Sequence, residues 1–382
     1  MSKVAEIAEL LESHIKDAGS VEEGSNRFAR QIGKFVDEGS LTIYDLPINE
    51  LFSRICNRDG HITFESSAQD VAEATGTGGF LYITSKLIHK TLIAEYEKGL
   101  PDLLDMTTQV KSARKEEDIV GFGALDKVRR VEEFAPYEEG EISEKRVTIK
   151  NHKYGLIMSL SKEMVLMDQT GQIVAKASNF GDNLRNWLHR FIIEKMCDKD
   201  CDATGEDSGN SLVYGGTAYS IYANTHSTID AQTNDNLLSG ADSAFGTTAI
   251  GSAIALLRKM VDSKGEYINI LPTHLIIPPE LEMQAVMLLN SAQMYDTTNN
   301  AVNPYKGQFK LVVSPYITSP EWFIGAPKKQ VRVQWVQKPT TESQGKDSGA
   351  AFERDVVARF KVSVYVGVGS TDYRYIVRSA GQ

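Results

Sequence analysis

The sequence predicts an α+β protein, on three observations. Apolar and polar residues mostly alternate over 147–160, with an interruption at Asn151 to Lys153, and alternate again over 360–368, the period-two pattern of half-buried strands. Between them Ile173, Ala177, Phe180, Leu184, Trp187 or Leu188, and Phe191 recur at three- and four-residue steps, the period of an amphipathic helix. Helical and strand patterns then take turns through 247–338, so the two kinds of element are mixed along the chain.

Taken in order, residues 1–100 read as a helical arm. Val4, Ile7, Leu10, Leu11 and Ile15 form one short stripe, Gly19-Ser20 interrupts, and Phe28, Ile32, Phe35 and Val36 form another. Stripes this short need a partner surface to stay folded. The run ATGTGGF punctuates the chain before a third helical stripe over 81–96.

After a connecting region, 101–125, a long hairpin is predicted over 126–160. Its first arm is DKVRRVEEF and its tip APYEEGEISEK, bent by Pro136 and Gly140. Lys127, Arg129 and Arg130 precede Glu132 and Glu133; Glu138, Glu139, Glu141 and Glu144 precede Lys145, Arg146 and Lys150. A ribbon with so much charge of both signs cannot be a domain core.

Within 161–225 the clearest helix spans 170–196, about 40 Å long at 1.5 Å per residue. Lys176, Asn179, Asp182, Asn183, Asn186 and Arg190 fill its polar side, and Gly171 and Gly181 predict a bend or a close backbone approach. Residues 226–330 read as a compact α+β block. Its helix GTTAIGSAIALLRKMVD aligns Ile250, Ile254, Leu257 and Val261; the strand HLIIP follows, then a helix opened by Pro278-Pro279-Glu280. The strands FKLVVSPYI and VRVQWVQ are expected to complete the block. Residues 331–382 return to strands, with Phe360, Val362, Val364, Val366 and Val368 on one face and DYRYIVRS closing the chain.

Composition excludes several classes of function. Of 382 residues, 51 are acidic and 41 basic, a formal charge of -10, which argues against a protein that wraps a polyanion. Cys56, Cys197 and Cys201 are too few for a disulfide framework and point to a reducing compartment. The N-terminus mixes charges through its apolar positions, unlike a signal peptide, and the uncharged stretch 208–229 is too polar to span a bilayer.

Signatures of catalysis fail in turn. ATGTGGF lacks the Lys-Ser or Lys-Thr of a phosphate loop, and GFGALD and GVGSTD lack the third glycine of a dinucleotide loop. Asp198, Asp200 and Asp202 are spaced like the start of a calcium loop, but Ala203 stands where glycine is required and Gly209 where the bidentate glutamate belongs. An acidic helix end is the better reading. The seven histidines are scattered, and the tryptophans Trp187, Trp322 and Trp335 read as core or interface anchors. No catalytic, cofactor or metal site is predicted. A metal-dependent enzyme built on Asp198, Asp200 and Asp202 is the alternative from another class.

The order of these parts resembles a tailed-bacteriophage major capsid protein with the Hong Kong 97-type fold. Three spellings are similar to the Mu-like and related contractile-tailed lineage: KRVTIKNHKYGLIMSLSKEMVLMD, ILPTHLIIPPELEMQAVMLLNS and RFKVSVYVGVGSTDYRYIVRS. The resemblance implies an N-terminal arm (1–100), the start of a peripheral domain (101–125), an extended E-loop (126–160), the peripheral domain with its spine helix (161–225), an axial domain (226–330), and peripheral return strands (331–382).

It implies a non-enzymatic subunit without cofactors that self-assembles into hexamers and pentamers of an icosahedral head. That head encloses double-stranded DNA without binding it specifically, is assembled in the host bacterial cytoplasm, and meets a portal and, in some members, decoration or scaffold proteins. The E-loop residues Lys127, Arg129, Arg130, Glu132, Glu133, Glu138, Glu139, Glu141, Lys145 and Arg146 would form the assembly interface. Ile173, Phe180, Leu184, Trp187 and Phe191 would pack the spine. The leading segment is cleaved in some members and is expected to be retained here. An encapsulin-type nanocompartment, loading protein instead of DNA, is the nearest alternative.

Overall fold

A computed structural model describes residues 80–122, 130–131, 144–167, 172–198, 212–214, 217–226, 234–240, 243–293, 302–344 and 356–381, together with Ser13, Gln31, Lys34, Glu38 and Ser66. The two short stripes expected before residue 40 therefore lie almost wholly outside the described residues. In chain order the elements are α1 (Phe80–Glu97), α2 (Leu100–Asp105), β1 (Thr108–Lys111), β2 (Glu116–Phe122), β3 (Glu144–Lys150), β4 (His152–Ser161), α3 (Lys162–Met167) and α4 (Gln172–Met196). They continue with β5 (Leu212–Tyr214), β6 (Thr217–Tyr219), β7 (Leu237–Leu238), α5 (Thr247–Lys259), β8 (His274–Ile277), a 3-10 turn (Pro279–Leu281) and α6 (Glu282–Asn290). The last are β9 (Lys310–Val313), β10 (Trp322–Gly325), α7 (Pro327–Gln330), β11 (Val331–Gln344), β12 (Val356–Ser370) and β13 (Ile376–Ser379).

The chain divides into two compact units: Met1–Leu100, Lys153–Trp187 and Gln337–Tyr365 form the first, and Pro101–His152, Leu188–Val336 and Val366–Gln382 the second. In the first, α1 buries Thr84, Leu87, Ile88, Leu92 and Tyr96, a stripe of three- and four-residue steps. Gly99, at φ +74°, stops the helix in the left-handed conformation that glycine adopts without strain. α4 answers with Ala177 and Phe180, and Gly181 lets the backbones meet. A Cβ at position 181 would stand 2.5 Å from the Leu92 carbonyl oxygen. Close packing, one of the two expectations for this glycine, is realised. Arg185 fastens the same contact by donating to the carbonyls of Glu95 and Lys98, both at 3.3 Å.

Gly181→Ala therefore sets two effects against each other. Alanine gains about 1 kcal/mol of helix propensity, while forcing a methyl against a main-chain oxygen costs about 1–3 kcal/mol. The carbonyl cannot swing aside as a side chain would, so net destabilisation of about 1 kcal/mol or more is expected in denaturant titration. Stabilisation by the full propensity gain would refute the α1–α4 contact.

In the second unit a five-stranded sheet has the order β7-β13-β10-β8-β9. β8 and β10 are buried at every residue, so both faces of this sheet are covered. On one face Leu275, Ile277, Trp322, Ile324 and Val377 join Ile250, Ala253 and Leu257 of α5 and Ala285, Leu288 and Leu289 of α6 in a single core. On the other, Tyr222 lies against Phe323 with ring centroids 5.6 Å apart. β8 and β9 run parallel with α6 between them in sequence, the arrangement a parallel pair requires.

Beside the sheet sits a buried polar network. Asn236 donates from Nδ2 to the carbonyls of Ile221 (2.7 Å) and Tyr373 (2.8 Å) and accepts at Oδ1 from the Ala223 N–H and His226 Nε2, both at 2.9 Å. His226 stacks on Tyr373 at 3.8 Å.

The structure corrects four sequence expectations. β3 pairs antiparallel with Glu116–Phe122, from Glu116↔Lys150 to Phe122↔Glu144, and not with 126–134; the hairpin therefore begins ten residues before 126. It also ends at Lys150 and not at 160, because β4 belongs to another sheet, next to β12. VRVQWVQ, the start of β11, does not complete the α+β block: Arg332–Trp335 pairs with β1, and β11 continues beside β12. The missing central strand is β10, whose residues Trp322–Gly325 lack any alternation because both faces are buried. The final strand β13 pairs with β10 and so leaves the returning strands for the five-stranded sheet. Period-two patterning specifies a strand but carries no information on its partner.

Candidate assembly interface

The hairpin is built from its base outward. In β3, Val147 (3% exposed) and Ile149 (4%) face inward while Arg146 and Lys150 stay exposed. Ile149 sits against Gly369 of β12, where a Cβ would come within 3.0 Å of its side chain.

Asn151 locks the end of the arm. Its N–H donates to the Lys115 carbonyl (2.8 Å), and Nδ2 donates to the Arg114 carbonyl (2.7 Å) and to Ser112 Oγ (3.2 Å). Gly367 leaves room for this amide. The interruption that breaks the strand pattern at 151 is thus the clamp that separates hairpin from sheet.

Further out the ribbon is exposed. Asp118 accepts from Thr148 Oγ1 (2.6 Å) and pairs with Arg146, and these partners, Thr148 first, hold its carboxyl below the usual carboxylate range. Val120, opposite Arg146, is 56% exposed. A pair this open to solvent adds little to the stability of the fold.

Of the sequence-predicted interface residues, Arg146 is engaged within its own chain, and Arg130 is exposed. Lys145 stands in β3 opposite Gly121, its side chain outside the described residues. Lys127, Arg129, Glu132, Glu133, Glu138, Glu139 and Glu141 lie outside the described residues.

The spine residues divide. Phe180 and Phe191 are buried, whereas Leu184 and Trp187 are half-buried and line an apolar cavity of about 360 Å³ with Tyr154, Leu156 and Val362. Tyr154 and Trp187 touch, with centroids 4.6 Å apart. Ile173 belongs to α4, but its side chain is outside the described residues. The last turns of the helix, from Leu188 to Met196, bury Ile192 and Ile193 as well as Phe191, so the single apolar face broadens there.

The acidic run is structural at its first member. Asp198, at φ +58°, accepts from Ser220 Oγ (3.0 Å) and the Ile221 N–H (2.9 Å), which ties the helix end to the following loop. Asp200 and Asp202 lie outside the described residues. Among the described residues no three His, Cys, Asp or Glu side chains converge as metal ligands, and no helix is long and apolar enough to cross a membrane.

A second charged cluster was not legible in the sequence. Lys310 of β9 reaches Asp102 (3.1 Å) and Asp105 (3.3 Å) of α2, and His274 Nε2 lies 3.8 Å from Asp105. Burial pushes the His274 ring below its ordinary pKa, against the pull of Asp105. These groups fasten α2 to the five-stranded sheet. They come from segments about 170 and 200 residues apart in sequence, a separation that no local motif signals.

The described chain is an α+β protein with a hairpin clamped at its base by Asn151 and a 25-residue helix, α4. The family model for phage capsid proteins matches residues 144–379, and the chain belongs to that family. It is a phage capsid subunit, a component of the virion, with a mixed α+β fold. No curated protein matches the sequence.

Among solved structures, the capsid of the native GTA particle is 12% identical with a TM-score of 0.47, over 72% of this chain and 88% of that one. Mycobacterium phage Adephagia gives 12% and 0.46 over the same shares. The capsid of cyanophage P-SCSP1u gives 11% and 0.44 over 72% and 86%.

Proposed function

We propose that the chain is the major head subunit of a tailed double-stranded DNA phage, assembling in the host cytoplasm into the hexamers and pentamers of an icosahedral shell. The E-loop residues named above would lie on a neighbouring copy, and a portal would occupy one vertex. The role is structural and not catalytic.

The observation that carries this reading is the hairpin. Its base is locked by Asn151 and Ile149, its outward residues Asp118, Val120 and Arg146 are exposed, and its sequence continues into a tip with charges of both signs. A ribbon with no core of its own gains stability only on another surface, and charges of both signs give that contact register and specificity. Weak contacts repeated over many copies hold a shell together through multivalency. The net charge of -10 keeps the inner surface from adhering to packaged DNA.

Negative-stain electron microscopy with light scattering, on the chain expressed alone and with its neighbouring genes, tests the proposal. Uniform shells or rings of five and six subunits are expected, with nuclease-protected DNA in particles made during infection. Protein cargo in place of DNA would indicate a nanocompartment, and a monomer or dimer under every condition would overturn the shell reading.

A further inference from the structure

Helix α6 is apolar on two sides. Ala285, Leu288 and Leu289 are buried in the core, yet Met283, Val286 and Met287, spaced i, i+3, i+4, are 70%, 39% and 44% exposed. A helix that is apolar beyond its core-facing stripe marks a surface that another molecule covers. Val302, 81% exposed, extends this patch: it is bridged to Gln293 just past the helix, and the neighbouring Asn303 donates to the Leu288 and Ser291 carbonyls. Glu280 and Glu282 stand exposed at the helix start, and neither forms an ion pair among the described residues.

The other helix of this layer carries the opposite sign. α5 ends in Arg258 and Lys259, both exposed and without an ion pair among the described residues. Beside them stands Tyr267, 72% exposed, held there by its bridge to Val261 and by the Ile268 N–H donating to the Met260 carbonyl at 2.9 Å. In the intervening turn the Asp262 carboxylate is occupied by the N–H groups of Lys264 and Glu266, both at 2.9 Å. Lys264 and Glu266 offset each other in charge. The cations of the helix end therefore set the sign of this surface.

We propose that these surfaces are the two halves of one head-to-tail interface, in which the Met283–Met287 face of one copy covers Tyr267 and the basic end of α5 on the next copy. The inference rests on the reading of the chain as a self-assembling shell subunit and adds which surfaces meet. The occupant is a second copy because the complementary surface, aromatic with a basic rim, is present on the same chain. A head-to-tail contact places opposite charges at every junction, and such contacts close into rings when their rotation permits. Methionines give a surface that adapts to small differences in ring geometry.

Two charge-reversal variants and one variant of the apolar face test this. Glu280→Lys with Glu282→Lys reverses one half, and Arg258→Glu with Lys259→Glu reverses the other. Each alone should stay folded by circular dichroism and lose at least tenfold in assembled particles by light scattering and electron microscopy. An equal mixture should recover assembly, because alternating copies restore opposite charges at every junction. An odd ring cannot alternate throughout, so the mixture should favour six-membered over five-membered rings. Met283→Gln with Met287→Gln, at exposed positions, should raise the concentration needed for assembly about tenfold.

Wild-type shells together with normal yields from all three variants would overturn the interface alone, as would a mixture that stays unassembled while both variants are folded. Normal shells that lose a co-purifying protein would assign the face to that protein instead. Failure of the wild-type chain to assemble under any condition would remove the shell reading, and this interface with it.

Discussion

Replacing Asn236 with leucine is expected to destabilise the second unit by about 4 kcal/mol or more. The side chain is fully buried and serves four partners: two carbonyls that it donates to, and an N–H and an imidazole that donate to it. Each buried polar group left without a partner costs about 1–3 kcal/mol, with partial relief as neighbours shift. For a unit of roughly 200 residues this lowers the melting temperature by about 10 °C. Asn224→Leu, at an exposed position, should stay within about 0.5 kcal/mol of the parent. Calorimetry on both checks the contrast, and a melting temperature for the Asn236 variant within 2–3 °C of the parent, well inside the expected ~10 °C, would remove the network from any stabilising role.

The network also shows why a tertiary contact can be invisible in sequence. Asn234 and Asn236 lie in a polar run that reads as a loop, and Tyr373 lies near the chain end. Their meeting joins residues 137 positions apart.

Reversing the hairpin tip, with Glu138, Glu139 and Glu141 all changed to lysine, should abolish or sharply reduce particles while leaving a folded subunit. The base of the hairpin is fixed by Asn151, Ile149 and the β2–β3 ladder, none of which involves these glutamates. The fold should therefore survive in circular dichroism and thermal melting. At the tip, like charges would face the lysines and arginines that the acids are expected to meet, and misplaced like charges across an interface cost several kcal/mol. The defect should soften at high salt, since screening shortens to about 3 Å at 1 M. Normal particle yield from a folded triple variant would sink the assignment of the hairpin as an assembly element.

The local grammar of this chain was legible where apolar residues recur at a fixed period over a long run. The stripe from Ala177 to Phe191 gave the long helix, and the alternation of Val362, Val364 and Val366 with polar neighbours gave β12. Gly181 announced a bend or a close approach, and Leu92 of α1 supplies the approach. Trp322–Gly325 was missed because a strand covered on both faces has no polar side to mark its period.

What the amino-acid order determined by itself was the kind of its longest periodic elements, the charge of the hairpin, and through the succession of parts the family to which the chain belongs. Partnership was decided only in three dimensions. The hairpin's first arm is Glu116–Phe122 and not the more charged run that follows it, and the last strand joins β10 in place of its sequence neighbours. The reason is physical. Periodicity records whether a residue faces water, a local property, whereas strand partner, register and the meeting of Asn236 with Tyr373 depend on which distant surfaces bury best together.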